Sequence, residues 1–310
     1  VADFLAEMAA ASHVRCERAM QIVPADEMRR LALSRDLPAP IAVRPFLLIA
    51  EVKLASPSEG VLRAIPSATS GEASPATQSP RDTATLDEVV KQARLYEANE
   101  AGLISVLAEP LRFGGDLTHV ARAAAAVRTP VMRKDFVVSP YQIYESRAVG
   151  ASAVLLIVRM LSDETLRHML IAAAECGLLV ILEVFNHADV ARARKLMDRH
   201  PGSPQLCIGV NTRDLSTLQV DPLRLEQLSP LIDSDVPWVA ESGLQTPGDV
   251  TRAVERGYCG ALIGSALMKS SDPALLCRQM ALAGQTAAVN RLVAHKQAAR
   301  ARRDEPEAKP

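Results

Sequence analysis

Ala153-Val154-Leu155-Leu156-Ile157-Val158 and Leu179-Val180-Ile181-Leu182-Glu183-Val184 are two short apolar runs. Between them lies a helical stretch, 162–176, closed by Gly177. Continuous apolar runs of this length read as strands buried on both faces. A helix between two such strands reads as the crossover of a parallel pair. The same unit recurs outward in both directions. Helical stretches at 86–100, 116–127 and 140–149 lead into apolar runs at 103–107, 130–136 and 153–158. Stretches at 187–199, 222–232 and 247–256 lead into 206–211, 236–243 and 261–265. With the run at 46–53 this makes eight strands, the number that closes a (β/α)8 TIM barrel of about 250 residues. An open doubly wound sheet would also alternate, but no Gly-x-Gly-x-x-Gly follows an early strand.

The chain of 310 residues is read as one barrel domain spanning 1–310. Residues 1–45 form an N-terminal helical extension that ends at Pro38 and Pro40. Residues 64–85, rich in Pro, Ser, Thr and Ala, read as a flexible insertion after the first strand. Residues 288–310 read as a helical, mildly basic C-terminal tail.

Composition narrows the function. A hydrophobic fraction of 48% supports a large core. A formal net charge of -1 and 3% aromatics give no reason to expect nucleic acid or a membrane as partner. Five separated cysteines without a Cys-x-x-Cys pair fit a reducing, cytoplasmic setting. The residues present show no signal-peptide pattern, and no apolar run is long enough to span a bilayer. The six histidines fall in predicted helices or loop starts and are expected at the surface. No metal-ligand spacing occurs, so no metal is expected.

The chemistry gathers at the C-terminal ends of the strands, where barrel active sites are built. In Ile49-Ala50-Glu51-Val52-Lys53-Leu54-Ala55-Ser56-Pro57, Glu51 and Lys53 stand at i and i+2 and so share a face. Other strands end in Glu109, Lys134, Glu183, Asn211 with Arg213, Glu241 with Ser242, and Gly264 with Ser265. Any one of these could be a structural cap or ion pair, Lys134 with Asp135 for example. Six or seven together are hard to explain by stability alone. Lys53, Lys134 and Arg213 suit a substrate with more than one negative group. Neighbouring cations would depress a lysine pKa, and burial would raise that of Glu183. Ser242-Gly243 and Gly264-Ser265 suit a phosphate, with Thr246 and Pro247 opening the next helix as N-cap and first residue.

These segments resemble the indole-3-glycerol-phosphate synthase family of tryptophan biosynthesis. The resemblance rests on Ile49-Ala50-Glu51-Val52-Lys53, Ser105-Val106-Leu107 with Glu109-Pro110, Lys134-Asp135-Phe136, Leu182-Glu183-Val184, Gly209-Val210-Asn211-Thr212-Arg213, Ala240-Glu241-Ser242-Gly243 and Leu262-Ile263-Gly264-Ser265. It implies closure of an indole ring in the anionic phosphosugar-anthranilate substrate 1-(o-carboxyphenylamino)-1-deoxyribulose 5-phosphate, with loss of CO2 and water and no cofactor. It further implies that Lys134 is the general acid and Glu183 its partner. Lys53 would bind substrate and donate a later proton, and Glu51 and Glu241 would orient the lysines. Phe113, Phe136, Leu155 and Leu262 would enclose the ring, with Asn211 and Arg213 at the anthranilate. Ser242, Gly243, Gly264 and Ser265 would hold the phosphate, and Ser56 would edge the pocket. Leu54 and Glu59 depart from the family's usual basic residues, Ala108 replaces a common threonine, and the 64–85 insertion is long. A phosphoribosyl-anthranilate-type isomerase, a Schiff-base aldolase and a non-catalytic phosphosugar-binding barrel are the competing readings. A monomer is expected because no large exposed apolar stripe is evident, and the resemblance allows association with other tryptophan-pathway enzymes.

Overall fold

The structure, a computed structural model, describes residues 4–57, 60–62, 80–198, 205–215, 217–233 and 235–304. Eight parallel strands close into a barrel. They are β1 (Leu47–Val52), β2 (Leu103–Leu107), β3 (Val131–Lys134), β4 (Ala153–Ile157), β5 (Leu179–Val184), β6 (Leu206–Asn211), β7 (Trp238–Glu241) and β8 (Gly260–Ile263). Each strand lies beside its chain neighbours, and β1 pairs with both β2 and β8.

The pleat explains why the charges converge. Leu47, Ile49, Leu103, Met132, Leu155, Leu179, Ile181, Cys207, Val239 and Leu262 share one buried cluster, the barrel interior. Their alternates, such as Leu48, Ala50, Val52, Val154, Leu156, Val180 and Leu182, belong to the layer under the helices. Two residues beyond an interior position is again interior. Glu51, Lys134, Glu183, Asn211 and Glu241 therefore continue the interior rows at the strands' C-terminal ends.

The N-terminal extension is two helices rather than one, α1 (Phe4–Ile22) and α2 (Ala25–Leu33), separated at Pro24. Proline cannot continue a helix but can start one. Cys16 and Met28 from these helices pack on Tyr141, and Phe4 meets Phe136 edge-on at 5.9 Å. After α2 the chain reaches the interior cluster again through Ile41 and Val43. The backbone N–H of Ile41 donates to Gln205 Oε1 at 2.8 Å.

Several boundaries differ from expectation. The helix expected at 86–100 runs over Pro80–Ala98, so the last six residues of the 64–85 stretch are helical. Residues 63–79 and Glu59 lie outside the described residues. The stretch at 222–232 is only a short helix, Arg224–Leu228, continued by a 3-10 turn, Ser229–Leu231. The C-terminal helix starts at Pro273 and reaches Asp304, so the basic end at 288 is its last part, and Ala287 and Ala288 are buried. This helix exposes Leu275, Leu282 and Val289 at seven-residue spacing, with Leu292 and Val293. An apolar stripe therefore does exist on one described helix. His119 is buried on the packed side of its helix, whereas His13, His168, His187 and His295 are exposed and His200 lies outside the described residues. No helix among the described residues is long and apolar enough to cross a membrane.

Candidate active site

At the C-terminal mouth of the barrel lies a cavity of about 470 Å³. Two clusters of charge stand inside it. In the first, Lys53 Nζ lies 3.2 Å from Glu51 Oε1 and donates to Ser265 Oγ at 3.1 Å. In the second, Lys134 Nζ lies 3.6 Å from Glu183 Oε2 and 4.0 Å from Glu241 Oε2. The three glutamates are almost fully buried, and the two lysine side chains keep 12% and 20% exposure. Within these two clusters, the lysines and not the glutamates present charge to an incoming molecule.

Two glycines make room for the carboxylates. A Cβ on Gly209 would lie 2.0 Å from Glu241 Oε1 and 2.7 Å from Ile181 Cγ2. A Cβ on Gly264 would lie 2.3 Å from Glu51 Oε1. Gly209→Ala is expected to destabilise the fold by about 1–3 kcal/mol by overpacking, read by urea denaturation. An unchanged midpoint would mean that Glu241 can swing aside at no cost.

The electrostatics reverse one expectation. Burial would lower the Lys134 pKa, but Glu183, then Glu241 and Glu51, outweigh it and hold the ammonium above its ordinary range. Lys134 is surrounded by carboxylates, not by cations, so its pKa is raised rather than depressed. The carboxyl driven well above its usual range is Glu241, first by burial and then by Glu183 beside it. Three carboxylates meet at this mouth, and Glu241 is the one whose neutral form its surroundings favour.

Of the remaining residues expected in the site, Phe113, Phe136, Leu155, Asn211, Arg213, Leu262, Ser242, Gly243, Gly264 and Ser265 all line the cavity. Phe113 and Phe136 are 6.2 Å apart between ring centres. Asn211 Oδ1 accepts from the Arg213 backbone N–H, and the Arg213 guanidinium donates to Leu218 O at 2.8 Å. Ser242 and Gly243 both have left-handed backbones, φ +66° and +74°. For the serine this costs on the order of 1 kcal/mol. Both residues of this turn line the cavity. The helix after it, Pro247–Glu255, has the expected Thr246 cap, and Asp249 completes a capping box.

Ser56 does not line the cavity; it is buried in a small hairpin in which Ala55–Ser56 pairs with Gly60–Val61. Glu109 is a cap, not a cavity group: its carboxylate accepts from the N–H groups of Leu111, Arg112 and Phe113. Asp135 pairs with Arg133 at 2.9 Å and Arg15 at 2.7 Å instead of with Lys134. Leu54 is buried in the outer core, so an apolar residue suits that position. Lys269 lines the cavity and was missed. It lies four residues after Ser265 on the helix Ser265–Lys269, the spacing that puts two side chains on one face.

Solved structures with this architecture include 3-hexulose-6-phosphate synthases. One, from Salmonella typhimurium, is 14% identical, with a TM-score of 0.55 over 78% of this chain and 100% of the other. That likeness speaks for the fold. A protein from Nocardioides sp. named indole-3-glycerol phosphate synthase is 42% identical over 233 residues, 75% of this chain and 79% of the relative. One of the same name from Kineococcus radiotolerans is 38% identical over 273 residues, 88% of each chain. A span that long in 310 residues necessarily includes Glu51, Lys53, Lys134, Glu183 and Glu241. The family model described as "Indole-3-glycerol phosphate synthase" matches residues 68–280. With the barrel and the paired lysine–glutamate clusters at its mouth, these matches show that the chain belongs to the indole-3-glycerol phosphate synthase family.

Proposed function

We propose that the chain is a carboxy-lyase of tryptophan biosynthesis. It converts 1-(o-carboxyphenylamino)-1-deoxyribulose 5-phosphate to indole-3-glycerol phosphate, CO2 and water, without a cofactor. The observation that carries this reading is the pair of lysine–glutamate clusters in one cavity, beside an apolar wall and the turns Ser242-Gly243 and Gly264-Ser265. The substrate has the matching parts: a benzoate ring, a ketone and a phosphate.

The phosphate sits against Ser242-Gly243 and Gly264-Ser265, with Lys53 beside Ser265 supplying charge. The ring lies between Phe113, Phe136, Leu155 and Leu262, with its carboxylate toward Asn211 and Arg213. This folds the sugar so that its carbonyl carbon meets the ring carbon bearing the carboxylate, which is chiefly a positioning effect. A bond forms between those two carbons, and Lys134 gives a proton to the carbonyl oxygen as charge develops there. The carboxylate leaves as CO2 and its bond electrons restore the ring. The new hydroxyl then leaves as water, with Lys53 as the donor in this step. Glu183 takes a proton from the methylene carbon beside the nitrogen as the new double bond forms there, and returns one to Lys134. Glu51 and Glu241 orient the lysines.

Every residue given a role belongs to one chain, so the site is complete without a second copy and a monomer can carry the reaction. Five unpaired, buried thiols accord with a reducing cytoplasm. The test is to mix the protein with the substrate and follow indole fluorescence alongside CO2 release. Equal rates of both are expected. Substrate bound but unchanged would favour a non-catalytic phosphosugar-binding barrel. A product retaining its carboxylate would favour an isomerase.

A further inference from the structure

We infer that Arg15, on α1, is a positioning residue for the ring-binding half of the site, acting through Asp135 and Glu109. The inference deepens the reading above and rests on its placement of the aromatic ring. Arg15 reaches two carboxylates from outside the barrel: Nη2 lies 2.7 Å from Asp135 Oδ1, and Nη1 lies 3.6 Å from Glu109 Oε1. Both carboxylate side chains are buried, at 1% and 0% exposure, while Arg15 keeps 26%. They stand at the ends of adjacent strands, where Leu107 is in register with Lys134 and the Ala108 N–H donates to Lys134 O at 3.0 Å. Two buried like charges so placed repel unless a cation lies between them.

Each carboxylate holds one wall of the ring pocket. Glu109 caps the one-turn helix Pro110–Phe113 and accepts from the Phe113 N–H at 3.1 Å. Asp135 accepts from the Phe136 N–H at 2.8 Å and directly follows Lys134. Arg15 therefore sets the separation of Phe113 and Phe136 from a helix that touches neither reacting centre. Arg133 also holds Asp135, through its other oxygen, but no such contact reaches Glu109 among the described residues. Phe4, on the same helix, packs edge-on against Phe136 and reinforces the arrangement.

The test compares the two ends of the substrate by binding alone. The first probe is the substrate with its ketone reduced to an alcohol, which cannot cyclise and reports through its fluorescent ring. The second is inorganic phosphate, followed by phosphorus resonance broadening. Arg15→Ala is expected to weaken the first by about tenfold and leave the second within about twofold, since a charged hydrogen bond is lost at one end only. Added guanidinium ion should recover most of the loss. Arg15→Lys keeps the charge but not the two-pronged reach, and should weaken the analogue by about threefold. It serves as the test variant if the alanine protein does not fold. Equal weakening of both probes, an unchanged analogue affinity, or no recovery with guanidinium would overturn the inference. Parent protein that fails to bind the analogue would overturn the ring placement and the inference with it. Parent protein that binds it but never turns over substrate would refute the proposed reaction, while the binding comparison still decides the role of Arg15.

Discussion

Lys134→Ala is expected to lower kcat about a hundredfold or more, with the reduced substrate analogue still bound. The argument begins from geometry. Lys134 ends an interior row of β3, and its ammonium faces Glu183 at 3.6 Å and Glu241 at 4.0 Å. Burial works against its charge, and the carboxylates more than reverse that effect. The free protein therefore holds a fully protonated lysine where a carbonyl oxygen would gain charge. An anionic substrate does not strip that proton, and donation waits for the developing alkoxide, a far stronger base. Lys134→Arg separates proton donation from charge. A guanidinium keeps the positive charge but does not give up a proton. If Lys134 is the acid, the arginine variant should be nearly as slow as the alanine variant. If charge is what matters, it should retain most of the parent rate. Lys53→Ala, measured in parallel, addresses the other cluster. A hundredfold loss there with full activity in Lys134→Ala would move the acid role to the lysine beside Ser265. Single-turnover kinetics make the comparison, because slow product release would hide a loss in the chemical step.

How far the sequence was legible depended on how local each cause was. The barrel strands were readable because an apolar run of five or six residues bounded by helices has few alternatives. The interior positions of Glu51, Lys134 and Glu183 follow from the same period of two. Glu109 carried a signal that pointed elsewhere: Glu-Pro-Leu-Arg-Phe is an N-cap, a helix-starting proline and one turn, and the structure uses it that way. Ser56 was expected at the pocket edge from the family resemblance alone, and in the fold it is buried in the hairpin with Gly60–Val61. The direction of the Lys134 shift was misread because the cations of the mouth were counted as its neighbours, whereas the fold sets Glu183 and Glu241 nearest to it. Arg15 was invisible because only the packing of α1 brings it to Asp135.

Glu241→Gln is expected to stabilise the free protein at neutral pH while lowering activity by tenfold or more. Burial, then the charge of Glu183, pushes the Glu241 carboxyl well above its ordinary range. The folded state therefore binds this proton more tightly than the unfolded chain does. Its stabilising effect is complete below the unfolded carboxyl value of about 4.3 and disappears as pH rises through the folded value. Above that, the parent holds a carboxylate it would rather keep neutral. Glutamine is a neutral near-isostere that still leaves Lys134 paired to Glu183. The gain at neutral pH is expected to be about 1–3 kcal/mol, because on folding the parent must either take up a proton or bury a charge at this position and glutamine does neither. Stability should also lose much of its decline between about pH 4.3 and neutrality. Lys134 does not confuse the comparison: its folded value lies above its unfolded one, so its contribution is constant until pH rises past about 10.4. Urea midpoints at several pH values, beside initial rates, provide the measurement. A glutamine protein with the parent's pH slope and a lower midpoint would show that the Glu241 charge stabilises the mouth. A more stable, slow protein would mean that the family's chemistry is installed here at a cost in fold stability, concentrated on the carboxyl that Gly209 makes room for.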